Sequence, residues 1–425
     1  MLIAKLIPYL WKKGEPAITV LFLLVISDVP LPGPFSKLVS VGSYGIVALL
    51  ILPHWRRLLY VASRDLLLWS LLGVALFSYF WSADPGATTA SAKALVRSMV
   101  FGVYLATRYT PMEQMHLFAW MTGLGAILSA AIGAAIPSYG QAGGLWRGIY
   151  AHKQYLGRMM VVGAATQILT FISCRKYRWL NLMILVLALA LILLSQSKTA
   201  LVLYVFSISA LPLYQMIRYY YKTQVVLYLL FLLVGGAIAV FVAGNWEMIV
   251  VDVLGKSPNF TGREEVWELA FDQSLQRPWL GYGYAGFWGS PEGDFVMRHT
   301  WAAEALARKN ETGGFHAHNG FLDLFLWLGG VGLVLFVVHY ITVLIRVIRL
   351  FRITKGVEYF WMLQIIALML LYNTTEVVLI LSQGHQLWLA YIAISFSSAL
   401  QLERIRRSPP QPSASEPSAL VSQTI

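Results

Sequence analysis

Two histidines stand close together in the segment GGFHAHNGFLDLFLWLGG, directly before a long apolar stretch. His316, His318 and Asn319 are therefore expected where the chain enters a membrane. A histidine at such a boundary suits general base catalysis, because its pKa lies near neutrality. We take His318 as the candidate base, with His316 and Asn319 as candidate substrate-binding residues. The alternative is a pair of interfacial loop histidines with solvated rings.

The spacing of this pair argues against a metal site. Residues two apart do not share a helix face, so His316 and His318 would not bind one ion from a single helix. No Cys or acidic cluster nearby completes a ligand set, and Asp323 is the nearest carboxylate. The sequence therefore predicts neither a metal nor another cofactor.

Basic residues flanked by aromatic residues recur in two further segments. LWRGIYAHKQYLGR contains Arg147, His152, Lys153 and Arg158, and SQSKTA contains Lys198. Arg offers a bidentate fork and Lys a point charge, so such residues suit a diphosphate held at a membrane interface. The alternative is ordinary snorkelling of long cationic side chains toward lipid headgroups.

Two other positions are candidates for the same chemistry. Arg263 lies in NFTGREEVW, and Glu376 lies in LYNTTEVVLI, within the outer half of an apolar segment. An ionisable group inside a membrane span is a functional candidate by default. Glu376 could orient a base, pair with an arginine or bind sugar hydroxyls. By contrast, the three glutamates of residues 264–268 are expected to form a solvated helix face.

The elements that carry these residues are predicted to be membrane helices. The chain is 58% hydrophobic and 12% charged, with a mean hydropathy of +0.65. Its apolar residues form long blocks, such as Trp179–Leu194 and Val225–Ala243, and about 20 apolar residues cross a bilayer as a helix. The net charge of +12 is interpreted as a basic cytoplasmic rim, not as a nucleic-acid surface. The single cysteine, Cys174, excludes a disulfide within the chain.

The pattern predicts an all-α, polytopic protein with about twelve spans. The predicted spans are 16–31, 38–53, 66–82, 89–107, 115–137, 156–173, 179–195, 199–217, 224–243, 320–345, 358–381 and 386–401. With both termini in the cytoplasm, most of the 32 Lys and Arg residues fall inside, as the positive-inside rule requires.

This orientation divides the chain into four parts. Residues 1–243 hold spans one to nine, and 244–319 form one large external loop that carries the candidate catalytic motifs. Residues 320–401 hold the last three spans. The Pro- and Ser-rich residues 402–425 are expected to be a disordered cytoplasmic tail. A polar segment as long as 244–319 in a compact protein is usually functional.

Taken together, the motifs resemble the O-antigen ligase and polymerase superfamily, and especially the exopolysaccharide polymerases of the ExoQ type. The likeness runs from about residue 70 to residue 385. His318 and Gly329 fit that family's pattern of a His, ten residues and a Gly. Arg263 fits less well, since Trp267 stands where the ligases have Leu, and Gln154 ends a motif that is often His-Lys-Asn. These departures favour a polymerase over a ligase.

The resemblance implies a GT-C-like membrane fold of about a dozen helices and a large periplasmic loop with essential Arg and His. It implies metal-independent glycosyl transfer from an undecaprenyl-diphosphate-linked oligosaccharide to a glycan acceptor. His318 would take the acceptor proton. Arg263, Arg147, Lys153 and Lys198 would hold the diphosphate. A bacterial inner-membrane location, surrounding lipids and a flippase and chain-length regulator as partners are implied in the same way.

Three other functions stay open at this point. A ligase would transfer the finished glycan to lipid A core or to protein. A transporter or flippase would show inverted repeats, broken helices and charges at the bilayer midplane. A non-catalytic scaffold for polysaccharide assembly would tolerate substitution of His318 and Arg263.

Overall fold

The computed structural model describes residues 2–27, 29–30, 34–219, 263–301, 303, 315–375, 380–382 and 384–407. Within these ranges the regular structure is helical apart from one short hairpin, as the sequence predicts. The predicted ninth span at 224–243, residues 244–262, 302 and 304–314 of the predicted external loop, Glu376 and residues 408–425 lie outside the described residues. Residues 402–407, predicted to begin a disordered tail, instead continue the last helix to Arg407.

Ten helices of the described residues precede the gap at 220–262. They are α1 (Leu2–Val25), α2 (Pro34–Ile51), α3 (Trp55–Ala62), α4 (Leu66–Phe77), α5 (Pro85–Arg108), α6 (Pro111–Ala135), α7 (Pro137–Gly140), α8 (Lys153–Ser173), α9 (Arg178–Ser195) and α10 (Lys198–Tyr219). Three 3₁₀ turns, Leu52–His54, Ser78–Trp81 and Arg175–Tyr177, join neighbouring helices. The antiparallel hairpin pairs β1 (Gln141–Ala142) with β2 (Leu145–Trp146).

Five helices follow that gap in the described residues. They are α11 (Arg263–Gln276), α12 (Pro291–Arg298), α13 (Gly320–Thr354), α14 (Val357–Thr375) and α15 (Gln386–Arg407). Helix α8 packs against α6, α9, α10 and α14, while α15 packs against α5 and α13. These two helices therefore form the centre of the bundle.

Six helices of the described residues are long and apolar enough to cross a membrane. Four of them fall on α6, α8, α13 and α14: Pro111–Ala135, Lys153–Ser173, Gly320–Thr354 and Val357–Thr374. The other two include a 3₁₀ turn: Leu38–Ala62 runs through α2 and α3, and Arg175–Ser195 contains α9. The protein is thus a multi-pass membrane protein, and the count of twelve spans stays a prediction. The predicted spans 89–107 and 386–401 do form helices, but they do not reach this apolar threshold.

The low hydropathy of α15 has a physical reason. Almost every residue from Gln386 to Ser398 is buried inside the bundle, so the helix needs no apolar surface against lipid. Its polar side chains bind partners in the protein: Ser397 accepts a hydrogen bond from Gln114 at 2.8 Å, and Ser395 donates to Asp65 at 2.6 Å. Buried polar groups are tolerated when they are paired in this way.

Local sequence signals fix where α5, α12 and α13 begin. Asp84 caps α5 before Pro85, and Ser290 caps α12 before Pro291. The side-chain oxygen of Asn319 accepts from two backbone N–H groups of the first turn of α13, at 3.1 and 3.3 Å. A cap of this type satisfies donors that the first helical turn leaves unpaired.

Helix α13 is broken at Gly329, whose φ of +60° and ψ of −161° leave the helical region. The break frees backbone groups, and the segment 278–283 binds them. Tyr282 and Gly283 donate to the carbonyls of Leu326 and Trp327 at 2.7 and 2.9 Å. In return Gly330 and Val331 donate to the carbonyls of residues 278 and 279 at 2.7 and 3.2 Å. The two motifs GYGYAGFWG and FLWLGGVG are therefore joined through their backbones.

We expect Gly329→Ala to destabilise the protein. An alanine there would keep a left-handed backbone, and its Cβ would overlap the carbonyl group of Trp279. The cost should be roughly 2 kcal/mol or more. Gly73→Ala is the matched control, because Gly73 lies inside α4 with open space at its Cβ position. Thermal unfolding of both variants in detergent should show a lowered midpoint only for Gly329→Ala; equal midpoints would contradict this role.

Candidate functional site

The two predicted histidines lie directly before α13 and contact each other. Their ring centres are 4.3 Å apart, and both side chains are half-buried. The backbone N–H of His318 donates to Nδ1 of His316 at 3.1 Å, so a neutral His316 carries its proton on Nε2. His318 adopts a left-handed backbone with φ +55°, a conformation that is uncommon outside glycine.

The backbone between the histidines is held by two side chains. Ala317 is fully buried; its N–H donates to Oδ2 of Asp323 at 2.9 Å, and its carbonyl accepts from the indole N–H of Trp267 at 2.7 Å. The other carboxylate oxygen of Asp323 accepts from the indole N–H of Trp288 at 2.6 Å. Asp323 and Trp267 therefore position both histidines. Trp267 is the residue that departs from the family pattern, and here it has a definite contact.

Aromatic rings form a wall beside His318. The rings of Trp301 and Phe315 lie 6.3 and 6.4 Å from the His318 ring, centre to centre, and Phe315 also packs edge-on against Trp288 at 4.8 Å. Such a wall limits the orientations open to the His318 imidazole.

Arg147, one of the predicted site residues, binds the backbone of its own loop before α8. Arg147 donates from Nε to the carbonyl of Tyr139 at 2.8 Å and from Nη1 to that of Ala151 at 3.3 Å. His152 is exposed at the start of α8 and stacks on Tyr155, with ring centres 6.0 Å apart. Arg147 thus holds the loop in shape through two backbone carbonyls.

The two predicted lysines are brought to neighbouring helix ends. Lys153 is the first residue of α8, and Lys198 is the first residue of α10. The two ends are in close contact, because a Cβ placed on Gly157 would lie 2.9 Å from the Cβ of Ser197. Helix N-termini carry partial positive charge, so both lysines lie where an anion is favoured.

Arg158, one turn into α8, is the residue whose importance the sequence alone understated. Its side chain is almost fully buried, 1% exposed, and its Nη1 lies 2.8 Å from Nε2 of His385. The guanidinium also lies over the rings of Tyr155 and Tyr372, at 4.8 and 5.4 Å. Burial, together with the charge of Arg158, lowers the pKa of His385 well below its ordinary value, so His385 is neutral and can accept from Arg158.

No carboxylate in the described part of the chain pairs with Arg158, and its Nε has no hydrogen-bond partner there. A buried cation without a counter-charge is costly, and inside a membrane protein such a residue is a candidate for a functional site. A charge five residues into an apolar helix was the sequence signal that could have identified it. His385 gave no comparable signal, since it stands alone between two predicted spans.

Contacts connect the buried arginine to the histidine segment. Gly320, two residues after His318, packs directly against the side chain of Asn373. The neighbouring residue, Tyr372, is the one whose ring lies under the Arg158 guanidinium. The first turns of α8 and α13 and the last turn of α14 therefore meet, and the histidines lie on the same side of the bundle as Arg158.

The remaining predicted residues divide into two groups. Asn319 uses its side-chain oxygen as a helix cap, as described above, which leaves its amide nitrogen for any substrate contact. The side chain of Arg263 and all of Glu376 lie outside the described residues; the backbone of Arg263 begins α11. In the part of the chain that is described, no three His, Cys, Asp or Glu side chains converge as metal ligands would.

Comparison with known proteins adds an independent line of evidence. Residues 183–337 match the O-antigen ligase family (Wzy_C). The predicted resemblance to the O-antigen ligase superfamily is confirmed. The match contains the histidine segment, Trp267 and the break at Gly329, while Arg158 and His385 lie outside it.

A curated relative points the same way. The chain is 27% identical over 106 residues to the exopolysaccharide production protein ExoQ of Rhizobium meliloti (strain 1021). That alignment covers 25% of this chain and 23% of ExoQ, so the chain spans less than a quarter of the curated relative. Function of the ligase and polymerase type is therefore supported at the level of the superfamily.

Asp323→Asn should loosen the histidine segment. The new NH₂ group would face one of the two N–H donors that now bind the carboxylate, and an unsatisfied buried group costs about 1–3 kcal/mol. Hydrogen exchange of residues 315–319 should become faster, and the thermal midpoint should fall. Asp272→Asn, on an exposed position of α11, is the control. Unchanged exchange in Asp323→Asn would show that this carboxylate does not hold the segment.

His385 predicts a definite pH dependence of stability. Its pKa is depressed in the folded state, so below the ordinary value of 6.5 the unfolded chain binds a proton that the folded chain does not. Stability is therefore lost as the pH falls through this range. His385→Gln keeps an acceptor for Arg158 but cannot titrate. Between about pH 8 and pH 5 the wild type should lose more thermal stability than this variant; parallel curves would contradict a buried neutral His385.

Proposed function

We propose that this protein polymerises undecaprenyl-diphosphate-linked oligosaccharide repeats on the periplasmic side of the bacterial inner membrane. The observation that carries the proposal is the combination of an anchored histidine and a buried, uncompensated arginine on one side of the bundle. The superfamily match supports the reaction class, and the ExoQ relative supports an exopolysaccharide product.

In the proposed reaction, an acceptor sugar hydroxyl attacks the anomeric carbon of the lipid-linked donor. The new glycosidic C–O bond forms as the bond between that carbon and the diphosphate oxygen breaks. His318 accepts the hydroxyl proton, and the electron pair of the broken bond leaves with the lipid diphosphate. Attack from the face opposite the diphosphate would invert the anomeric centre. No nucleotide enters, because the donor is already activated.

The leaving diphosphate requires fixed positive charge. Arg158 meets this need most directly, because its guanidinium is buried, oriented by His385 and two tyrosines, and without a carboxylate in the described residues. Lys153 and Lys198 add charge at two adjoining helix N-termini, and Arg263 begins α11. Preorganised groups that bind the developing charge lower the barrier most, typically by a factor of about 100 or more for one donor.

Positioning explains why the histidine must be held rigidly. A base has to lie within hydrogen-bond reach of the hydroxyl at the moment of attack, and small displacements are costly. The contacts of Ala317 with Asp323 and Trp267 provide this restraint from both sides. Trp267 also ties α11, and with it the backbone of Arg263, to the histidine segment.

A ligase is the second candidate, and the name of the matched family favours it. A ligase would use the same donor, the same base and the same diphosphate site, and would differ only in the acceptor. A transporter is less well supported. The broken helix α13 is a feature of that class, but here the segment 278–283 fills the break instead of leaving it to line a cavity.

The test is polymer analysis in a strain that lacks this gene and is complemented with wild type, His318→Ala or His299→Ala. His299 is the matched control, an exposed histidine at the end of α12. Loss of the base should lower polymer output by about a hundredfold or more, while His299→Ala should match wild type. Membrane levels of all three proteins are measured in parallel.

The glycan that accumulates distinguishes the candidates. Single lipid-linked repeats in the His318→Ala strain support the polymerase. Long polymer that stays on its lipid carrier, unattached to its acceptor, identifies a ligase. Wild-type output from His318→Ala at normal membrane level would overturn the catalytic assignment.

A further inference from the structure

A groove of about 510 Å³ lies between α13 and α15 at the end of the bundle opposite the histidine segment. Helix α13 runs from the histidines at Gly320 to this end at Thr354, so the groove is separated from the proposed active site by most of the length of the helix. Its lining residues are Arg64, Thr342, Ile345, Arg346, Arg349, Ala399, Leu402, Glu403 and Arg406.

The groove changes from apolar to basic along its length. On α13 it is lined by residues 342, 345, 346 and 349, and on α15 by residues 399, 402, 403 and 406. Each set has the spacing of one helix face. Both helices run in the same direction here, so the apolar positions lie toward the middle of the bundle and the basic positions lie roughly 10 Å further along, at its end.

Two of the four arginines have acidic partners. Arg346 binds Asp65 at 2.5 Å, and Arg64 binds Glu403 at 3.0 Å. Glu403 is also bound by Arg407, at 2.5 Å, so its charge is more than compensated.

Arg349 and Arg406 are left at the open end of the groove. Both are exposed, and neither forms an ion pair with an acidic side chain among the described residues. The groove therefore presents two cations without counter-charge to an occupant.

The apolar end continues onto the outer surface of α13. Val334, Val338, Ile341 and Ile345 are between 44% and 61% exposed and follow one helix face into the groove. On a membrane-spanning helix such a stripe faces acyl chains. An occupant that matches the whole surface has an anionic head at the arginines and a hydrocarbon chain along the stripe.

We propose that this groove binds the phosphate headgroup of an anionic phospholipid. Arg349 and Arg406 bind the phosphate, and an acyl chain lies against Ile345 and Leu402. Free phosphate shares the anionic chemistry, but it would leave the apolar half of the groove without a ligand. Basic pockets between membrane helices are typical headgroup sites. This proposal does not depend on the reaction proposed above.

Native mass spectrometry of the intact protein in detergent tests the site. The protein is titrated with phosphatidylglycerol, with phosphatidylcholine and with inorganic phosphate. The groove variant is Arg349→Gln/Arg406→Gln. The matched control is Arg56→Gln/Arg57→Gln, which removes equal charge from exposed positions at the start of α3, on the same side of the bundle but outside the groove. A third variant, Arg349→Lys/Arg406→Lys, keeps the charge.

We expect wild type and the control to retain phosphatidylglycerol in preference to phosphatidylcholine. The groove variant should bind phosphatidylglycerol about tenfold more weakly or worse, and the lysine variant should recover most of the binding. Failure of the groove variant to fold would appear as aggregation in size exclusion. The single variants Arg349→Gln and Arg406→Gln are then compared with the control, and each should bind phosphatidylglycerol more weakly than the control does.

Three results would overturn the proposal. Equal binding by groove variant and wild type would show that the arginines do not form the site. An equal loss of phosphatidylglycerol binding in the control would show that the total basic charge on this side of the bundle, and not the groove, holds the lipid. Displacement of phosphatidylglycerol by millimolar inorganic phosphate alone, with no preference for lipid, would make this a site for free anions.

Discussion

The structure depends on the satisfaction of backbone hydrogen bonds at Gly329. A helix at membrane depth cannot expose unpaired N–H and C=O groups to lipid, since each would cost several kcal/mol. Helix α13 leaves the helical conformation at Gly329, and the freed groups must find partners in protein. The segment 278–283 forms four backbone hydrogen bonds there, so the break in α13 is stabilised by the docking of this segment.

This constraint makes the histidine segment part of the folded core. The same part of the chain that fills the break carries Trp288, which donates to Asp323, and α11 carries Trp267, which donates to Ala317. Motifs that are separated by about fifty residues of sequence therefore converge on one backbone unit. His318, the proposed base, is thus held in place by hydrogen bonds to the backbone beside it.

Buried charge is handled differently at the two ends of the bundle. At the end away from the histidines, Asp65 is neutralised by Arg346 and accepts further hydrogen bonds from Ser395 and His339, at 2.6 and 3.3 Å. At the other end Arg158 has a neutral histidine and two aromatic rings, but no acidic partner in the described residues. In the first arrangement the buried carboxylate is neutralised within the protein. The burial of Arg158 is expected to become energetically favourable when an anion binds beside it.

The sequence by itself determined the class of protein, because long apolar blocks leave helices as the form that satisfies the backbone in lipid. It also predicted the histidine segment and most of the basic positions as site residues, by residue type and spacing. Tertiary structure decided which of these residues lie together. The role of Trp267, the pairing of Arg158 with His385 and the docking at Gly329 depend on contacts between helices far apart in sequence. A hydropathy pattern records which residues avoid water, but not which neighbours they meet, and so it could not supply these contacts.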